Sequence, residues 1–538
     1  MLRPAWSPAR AVALALLLSA PAACAEAGRP VGDAAASRRP GGPLAPGSLR
    51  AATMRLMAFG PRPAGAEGHR RAASYVGGRF LLGGLKPILT DTFRCPAANG
   101  AAAPADRGSS GPAVCGSVVA FGHALPLADA WSLMKGEAEA FTFDRPPRPD
   151  LEAALAQAAR DEGVARLTPF DVFKRPSPLF PRAVVRCLLR RMVRREAGDE
   201  ADDPRARARV MAGLLRRLAR AHEAVLVTAP LDMRPAPGAG AHGADESASL
   251  SVLCAVAEYV VCESSWPRRR TLLCAALDGH WRGGAGARSL AGMLGQADDG
   301  VARGGAQDSP GSGGSEASRA AVRAGCGSSR LSPSAMARAK VDEDDPVLPH
   351  RARTATSEDD QLAALLGPSE AAARAPALAK ALMARPDDPA LVAEAEDVLV
   401  RLLRLEPYRV RLVVCLDLSS GGRRVAVHLA AGDGPAATAL RPWLSATVKH
   451  ASDVGAALSK GLKPLPQTVS GRACAALAGS DRPAVLLRTA DAPRRHWFTA
   501  EDTPERVDFA ALADQARAVA TLLENILASE ALPAADPL

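Results

Sequence analysis

Apolar positions along this chain follow two rhythms, separated by stretches that show neither. After a polar loop at 60–65, Ala72, Tyr75, Val76 and Phe80 recur three and four residues apart. That spacing predicts an amphipathic helix closing at Gly83 and Gly84. Residues 96–114 are poor in large apolar side chains and read as loop, while 117–126 reads as a strand. From 150 to 222 the period is helical. Val184/Val185, Leu188/Leu189 and Met192/Val193 advance in steps of four opposite Arg186, Arg190 and Arg194, and a second basic helix carries Val210, Leu214 and Leu218.

From 224 the grain changes. Residues 224–228 form a short apolar run, Leu250, Leu253, Ala257, Val260 and Val261 a helical stripe, and 271–277 a second apolar run. Strand, helix and strand at this spacing predict a largely parallel sheet covered by helices. The series breaks at 296–360, where Gly, Ser, Ala and charge dominate and GGAQDSPGSGGSEAS reads as a disordered insertion. A helix with an Asp388-Pro389 start runs to Leu405, strands follow at 411–416 and 484–489, and Phe509, Leu512, Ala516, Val519, Leu523 and Ile526 form the stripe of a closing helix. No internal repeat is present.

Composition adds scale and compartment. With 538 residues, 48% of them apolar, the chain can build a large core, although much of that share is Ala. The net charge of +10 comes from 67 basic residues, mainly Arg, scattered among 57 acids, which reads as a solvated surface; no nucleic acid partner is expected. The Arg-lined helices of 182–220 leave surface attachment as a lesser reading. Arg3 and Arg10, the apolar run 11–18 and the small residues Ala22, Ala23, Cys24 and Ala25 follow the order of a signal peptide, so 1–25 is read as one. Cleavage after Ala25 and lipid modification at Cys24 both stay open. The expected location is therefore outside the cytoplasm: periplasmic, secreted, or tethered to a membrane through the N-terminus. In such a compartment Cys95 and Cys115 could close the loop between them, whereas Cys254, Cys274 and Cys415 lie in apolar runs and read as core.

Six segments in five ordered blocks carry a resemblance. GPRPAGAEGHRRAASYVGGRFLLGGLKP (60–87) looks like an Arg-x-x-Gly entry loop and first helix; VLVTAPLD (225–232) like a strand ending His-x-Asp; GADESAS (243–249) like Gly-Ala-Asp-Asp-Asn-Ala-Ser. RTLLCAALDGHWRGGAGARSLAG (270–292) looks like a strand leading to a Glu-Glu pair. VVCLDLSSGG (413–422) and WFTAEDTPERVDF (497–509) resemble a final strand Asp and a His-Thr-Pro-x-Asp-Thr loop. Together they resemble metallopeptidase family 28, the exported zinc aminopeptidases that share a fold with glutaminyl cyclases and the transferrin receptor ectodomain.

The resemblance implies a three-layer α/β/α fold with a mixed, mostly parallel sheet, and a dizinc site of two His and three carboxylates with a Glu as general base. Carried onto this chain, the bridging carboxylate falls on Asp245 and the later Asp ligand on Asp417. The other positions are replaced: the first His is Pro230, the general base is His280, the adjacent Glu ligand is Trp281 and the last His is Phe498. Asp232 keeps the place of a residue that would orient a lost imidazole. His242, His280 and His496 are candidate substitutes for a site holding at most one zinc, with Glu246 an alternative base. Paired C-x-x-C, phosphate-loop and Gly-x-Ser-x-Gly patterns are absent from the sequence.

The expected organisation is a signal peptide (1–25), a flexible linker (26–48), a peptidase-like domain assembled from 49–135, 223–295 and 405–530, an Arg-rich helical insertion at 136–222, a low-complexity insertion at 296–404 ending in a helix, and a tail at 531–538. The expected function is non-catalytic binding of a peptide or protein in the former substrate cleft. A single-metal exopeptidase using Asp245, Asp417 and nearby histidines is the alternative.

Overall fold

The computed structural model describes residues 41–63, 66–95, 113–143, 149–175, 177–233, 243–294, 358–367, 369–404, 406–430, 435–479, 482–490, 499, 501–530 and 532. In chain order the elements are α1 (Pro46–Met57), α2 (Glu67–Leu82), β1 (Ile88–Cys95), β2 (Ala113–Gly122), α3 (Leu125–Phe143), α4 (Pro149–Asp161), α5 (Pro169–Phe173), α6 (Arg182–Ala197), α7 (Pro204–Ala221), β3 (Glu223–Pro230), α8 (Ala244–Glu258) and β4 (Thr271–Leu277). Then come α9 (Ala285–Met293), α10 (Glu358–Leu365), α11 (Glu370–Ala384), α12 (Pro389–Leu403), β5 (Arg409–Asp417), β6 (Val425–Ala430), α13 (Pro435–Asp453), β7 (Leu458–Pro464), α14 (Val469–Leu477), β8 (Ala484–Thr489) and α15 (Phe509–Ala528).

The eight strands form one sheet in the order β1-β2-β4-β3-β5-β8-β6-β7. The pairs β4/β3, β3/β5, β5/β8 and β6/β7 are parallel and the other three antiparallel. The mixed, mostly parallel sheet expected from the sequence is thus observed.

Side chains of the central strands alternate between two cores. Leu226, Leu273, Val413 and Leu486 enter one apolar cluster with α3, α4, α6, α7, α9, α11, α12 and α14. Their neighbours Val225, Val227, Leu272, Leu412, Val414 and Leu487 enter a second with α1, α2, α8, α13 and α15. The period-2 pleat sends successive residues to opposite faces, so nearly continuous apolar strands such as β4 are buried throughout. The result is three layers.

The stretch 358–404 differs from expectation. Only its last helix is legible in the sequence, yet α10, α11 and α12 are all present, with Ala375, Leu378, Ala379 and Leu382 of α11 buried. Ser369 caps α11 by accepting from the Ala372 N–H at 3.0 Å, and the helix continues through Pro376. α3 also runs continuously from 125 to 143 across the expected insertion boundary at 135. Residues 296–357, the expected signal peptide, 26–40 of the expected linker and 533–538 of the tail lie outside the described residues, while Leu44 is buried and α1 begins at Pro46, inside the expected linker 26–48. No helix among the described residues is long and apolar enough to cross a membrane.

Cys115 is disulfide-bonded; the Cys95 side chain lies outside the described set. Cys254, Cys274 and Cys415 are buried free thiols, as expected of core residues.

Candidate functional site

The candidate residues gather at the carboxyl ends of β3, β4 and β5, where a parallel sheet opens its binding crevice. Each is placed by a different local device. Asp245 sits in the first turn of α8, whose entry is held by Asp502: the Asp502 carboxylate accepts the Asp245 N–H at 2.9 Å and its carbonyl accepts the Gly243 N–H at 3.0 Å. Gly243 has φ +138°, and a side chain there would run into Met233 Sδ. The same turn is braced from below by Arg62 of the entry loop. Its fully buried guanidinium donates to Leu56 O (2.9 Å), Leu231 O (3.3 Å) and Ser247 Oγ (2.9 Å). Burial lowers the Arg62 pKa to about 10, against the pull of Glu246 and Asp232.

The carboxylates at the two retained ligand positions already have protein partners. Asp245 Oδ1 accepts the Ser420 N–H at 2.7 Å and the Ser420 hydroxyl at 3.3 Å. Asp417 Oδ2 lies 3.3 Å from Arg488 Nε. Register explains the second pairing: Asp417 and Arg488 are direct cross-strand partners of β5 and β8, so both side chains leave the same face. Both aspartates are buried.

The third carboxylate, Asp232, serves the backbone. Its two oxygens accept the N–H groups of His280 (3.0 Å) and Trp281 (3.2 Å), which shapes the turn after β4. Burial, then the charge of Asp278, raises the Asp232 pKa to about 7. His280 turns Nε2 toward Ser470 Oγ at 3.4 Å and packs edge-on against Trp281, with ring centroids 5.2 Å apart. Pro230 ends β3 opposite Leu277 and brings no donor atom. His242, His496 and Phe498 lie outside the described residues.

Beneath this turn, Asp278 is fully buried. It accepts the Gly116 N–H at 2.9 Å and the Gly279 N–H at 2.7 Å, and lies 3.1 Å from His69 Nε2. Gly286 in α9 packs so closely that an alanine Cβ would collide with the Asp278 carbonyl oxygen and approach Ser117 Oγ to 2.8 Å. Gly286→Ala is expected to lower stability by about 2 kcal/mol, measured by urea denaturation; a change under about 0.5 kcal/mol would show that the turn yields freely.

The described residues are poorly suited to a dication. No group of three His, Cys, Asp or Glu side chains among them is arranged to hold a metal. A metal at Asp417 would compete with a guanidinium, and one at Asp245 with two hydrogen-bond donors. Sequence reasoning located Asp232, Asp245, His280 and Asp417, but missed Arg488, Ser420, Ser470, Asp502 and Asp278. The Arg488 signal is its place at the end of a run of apolar strand residues; Ser420 lies in the LSSGG turn that closes β5 and Asp502 at the Asp of the His-Thr-Pro-x-Asp-Thr resemblance, while Ser470 and Asp278 show no such mark.

Neither a scan of protein-family profiles nor a search of curated proteins returns a match. Solved structures do. Glutaminyl cyclase of Porphyromonas gingivalis aligns with a TM-score of 0.40 at 10% identity, covering 90% of this chain and 99% of its own. The Zn-dependent exopeptidase of Parabacteroides distasonis aligns at 0.37 and 11%, covering 90% and 98%. The LapA aminopeptidase of Legionella pneumophila aligns at 0.38 and 9%, covering 92% and 74%. At these scores and identities the alignments assign no residue a role, and the chemistry of the site rests on its own geometry.

Proposed function

We propose that this chain is an exported zinc-aminopeptidase-like protein that binds a peptide or protein through the former substrate cleft instead of cleaving one. The observation that carries the reading is the engagement of both retained ligand positions by protein groups, Asp417 by an ion pair with Arg488 and Asp245 by hydrogen bonds from Ser420. A dizinc hydrolase needs those oxygens free, together with imidazoles and a base aimed at a bridging water. Here the base position is a histidine turned toward Ser470 and an adjacent ligand position is Trp281, whose indole has no lone pair to give. What remains at the strand ends is a hydrogen-bonded floor with three buried carboxylates, Asp232, Asp245 and Asp417. Such a floor suits recognition by shape and by a few fixed polar groups.

The test is the metal content of the mature protein, purified without chelator or added metal, beside Asp245→Ala/Asp417→Ala. The expected result is well under one zinc per chain in both, with no release of amino acids from an aminopeptide panel. About one zinc per chain that is lost in the double variant would overturn the reading and establish a single-metal site drawing on His242, His280 or His496.

A further inference from the structure

The fold divides the arginines of the two basic helices into two populations that the sequence presents as one. On α6 they are largely spent on acids of neighbouring helices. Arg182 and Arg186 reach Asp397 of α12 at 2.8 and 3.3 Å, Arg190 reaches Glu396 at 2.8 Å, and Arg191 reaches Asp150 of α4 at 2.7 Å. These pairs fasten α6 to its neighbours and account for its basic composition.

α7 is different. Ala208, Met211, Ala212, Leu215, Leu218 and Ala219 bury one side of it. At 100° per residue, Arg205, Arg209, Arg216 and Arg220 fall within about 60° of one another on the opposite side, along about 22 Å of helix. Arg205, Arg209 and Arg216 are exposed and Arg220 half-buried. Among the described residues, Arg205, Arg216 and Arg220 have no ion pair, and Arg209 only approaches Glu200, at 4.0 Å between two exposed side chains. Four guanidinium groups thus form a straight row on a rigid element, and self-repulsion along such a row destabilises the helix unless an external anion offsets it.

We propose that the arginine row of α7 docks onto an anionic lipid surface. A plane can meet all four groups at once, because they lie along one line of a straight helix. The outer face of α7 holds Arg and one Gly, with none of the Asn, Gln, Ser or aromatic side chains that read or stack on bases, which argues for headgroups over nucleic acid. Charge supplies the attraction and no apolar residue of the row inserts, so the association is reversible and falls steeply with salt.

The experiment is co-sedimentation of the mature protein with vesicles of phosphatidylcholine alone or with one-quarter phosphatidylglycerol, across a salt series. Binding to the anionic vesicles only, released at high salt, is expected. At roughly fivefold per arginine, Arg205→Gln/Arg209→Gln/Arg216→Gln/Arg220→Gln should weaken it by several hundredfold. Arg182→Gln/Arg186→Gln/Arg190→Gln/Arg194→Gln removes the same formal charge from α6 and should weaken it far less. Circular dichroism melts confirm that both variants fold; should the α7 variant unfold, Arg205→Lys/Arg209→Lys/Arg216→Lys/Arg220→Lys retains the charge and must retain binding. No binding at low salt, equal loss in the two glutamine variants, or tighter binding to a DNA duplex or an acidic peptide than to the vesicles would each overturn the proposal.

Discussion

Asp278→Ala is expected to cost about 4 kcal/mol of folding stability. The carboxylate sits at full burial immediately after β4, where it accepts two backbone N–H groups and faces His69. Truncation leaves those buried groups without their acceptor. Asp278→Asn keeps one acceptor oxygen and should cost roughly half as much. Urea denaturation with an unchanged m-value measures both, and a cost below about 1 kcal/mol for the alanine variant would mean that the turn relaxes around the loss. Removing Asp278 also takes away a charge that raises the Asp232 pKa, so the Asp232 carboxyl should titrate lower in Asp278→Asn.

Lowering the pH from 7 to 4 is expected to remove between about 2 and 3 kcal/mol of stability through His123. The His123 ring donates to or accepts from Tyr408 Oη through Nδ1 at 2.8 Å and packs on Trp131, while His222 stacks on Tyr408 and meets Leu402 O at 2.8 Å. His123 keeps part of its surface open, but its Nε2 is enclosed. Burial, aided by His222 and Arg268, holds the His123 pKa at about 3, and burial lowers that of His222 as well. The folded state therefore keeps a neutral ring where the unfolded chain takes a proton near pH 6.5. Stability from this source is complete above that value and drains away as the pH falls toward 3. Asp232, with its raised pKa, acts in the opposite sense between about pH 4 and 7, since it favours the folded state when protonated. The comparison that isolates the histidine is wild type against His123→Asn, whose amide can replace the Nδ1 contact. The stability gap between them should narrow by the stated amount between pH 7 and pH 4; a constant gap would show that the ring is protonated in the folded state.

The strands and helices with clear periodicity were legible, and the missed ones share a physical cause. β4, β8 and α15 lie where their apolar patterns place them, and β3 and β5 extend the expected runs by one or two residues at each end. β1 escaped notice because Thr90, Asp91, Thr92 and Arg94 interrupt its apolar residues, as suits an edge strand. β7, the other edge, contains Lys460, Gly461, Lys463 and Pro464, which read as loop in isolation. α11 is disguised by Pro376 and by a core stripe made partly of alanine. At the site, motif order located the aspartates, while their partners come from segments up to 257 residues away and are fixed by sheet register and helix entry, which only the assembled fold supplies.

The packing of α7 has a consequence for synthesis. Its buried side rests on α11 and α12 in a shared core, yet α12 ends about 180 residues after α7. On a ribosome adding 5–20 residues per second, that side emerges roughly 10 to 40 seconds before its cover exists. During that interval Met211, Leu215 and Leu218 lack the part of their packing that α11 and α12 supply. The arginine-rich outer side of the same helix then keeps an unfinished chain apart from its copies by repulsion, and a holding chaperone has a well-defined apolar stripe to occupy until residue 403 arrives.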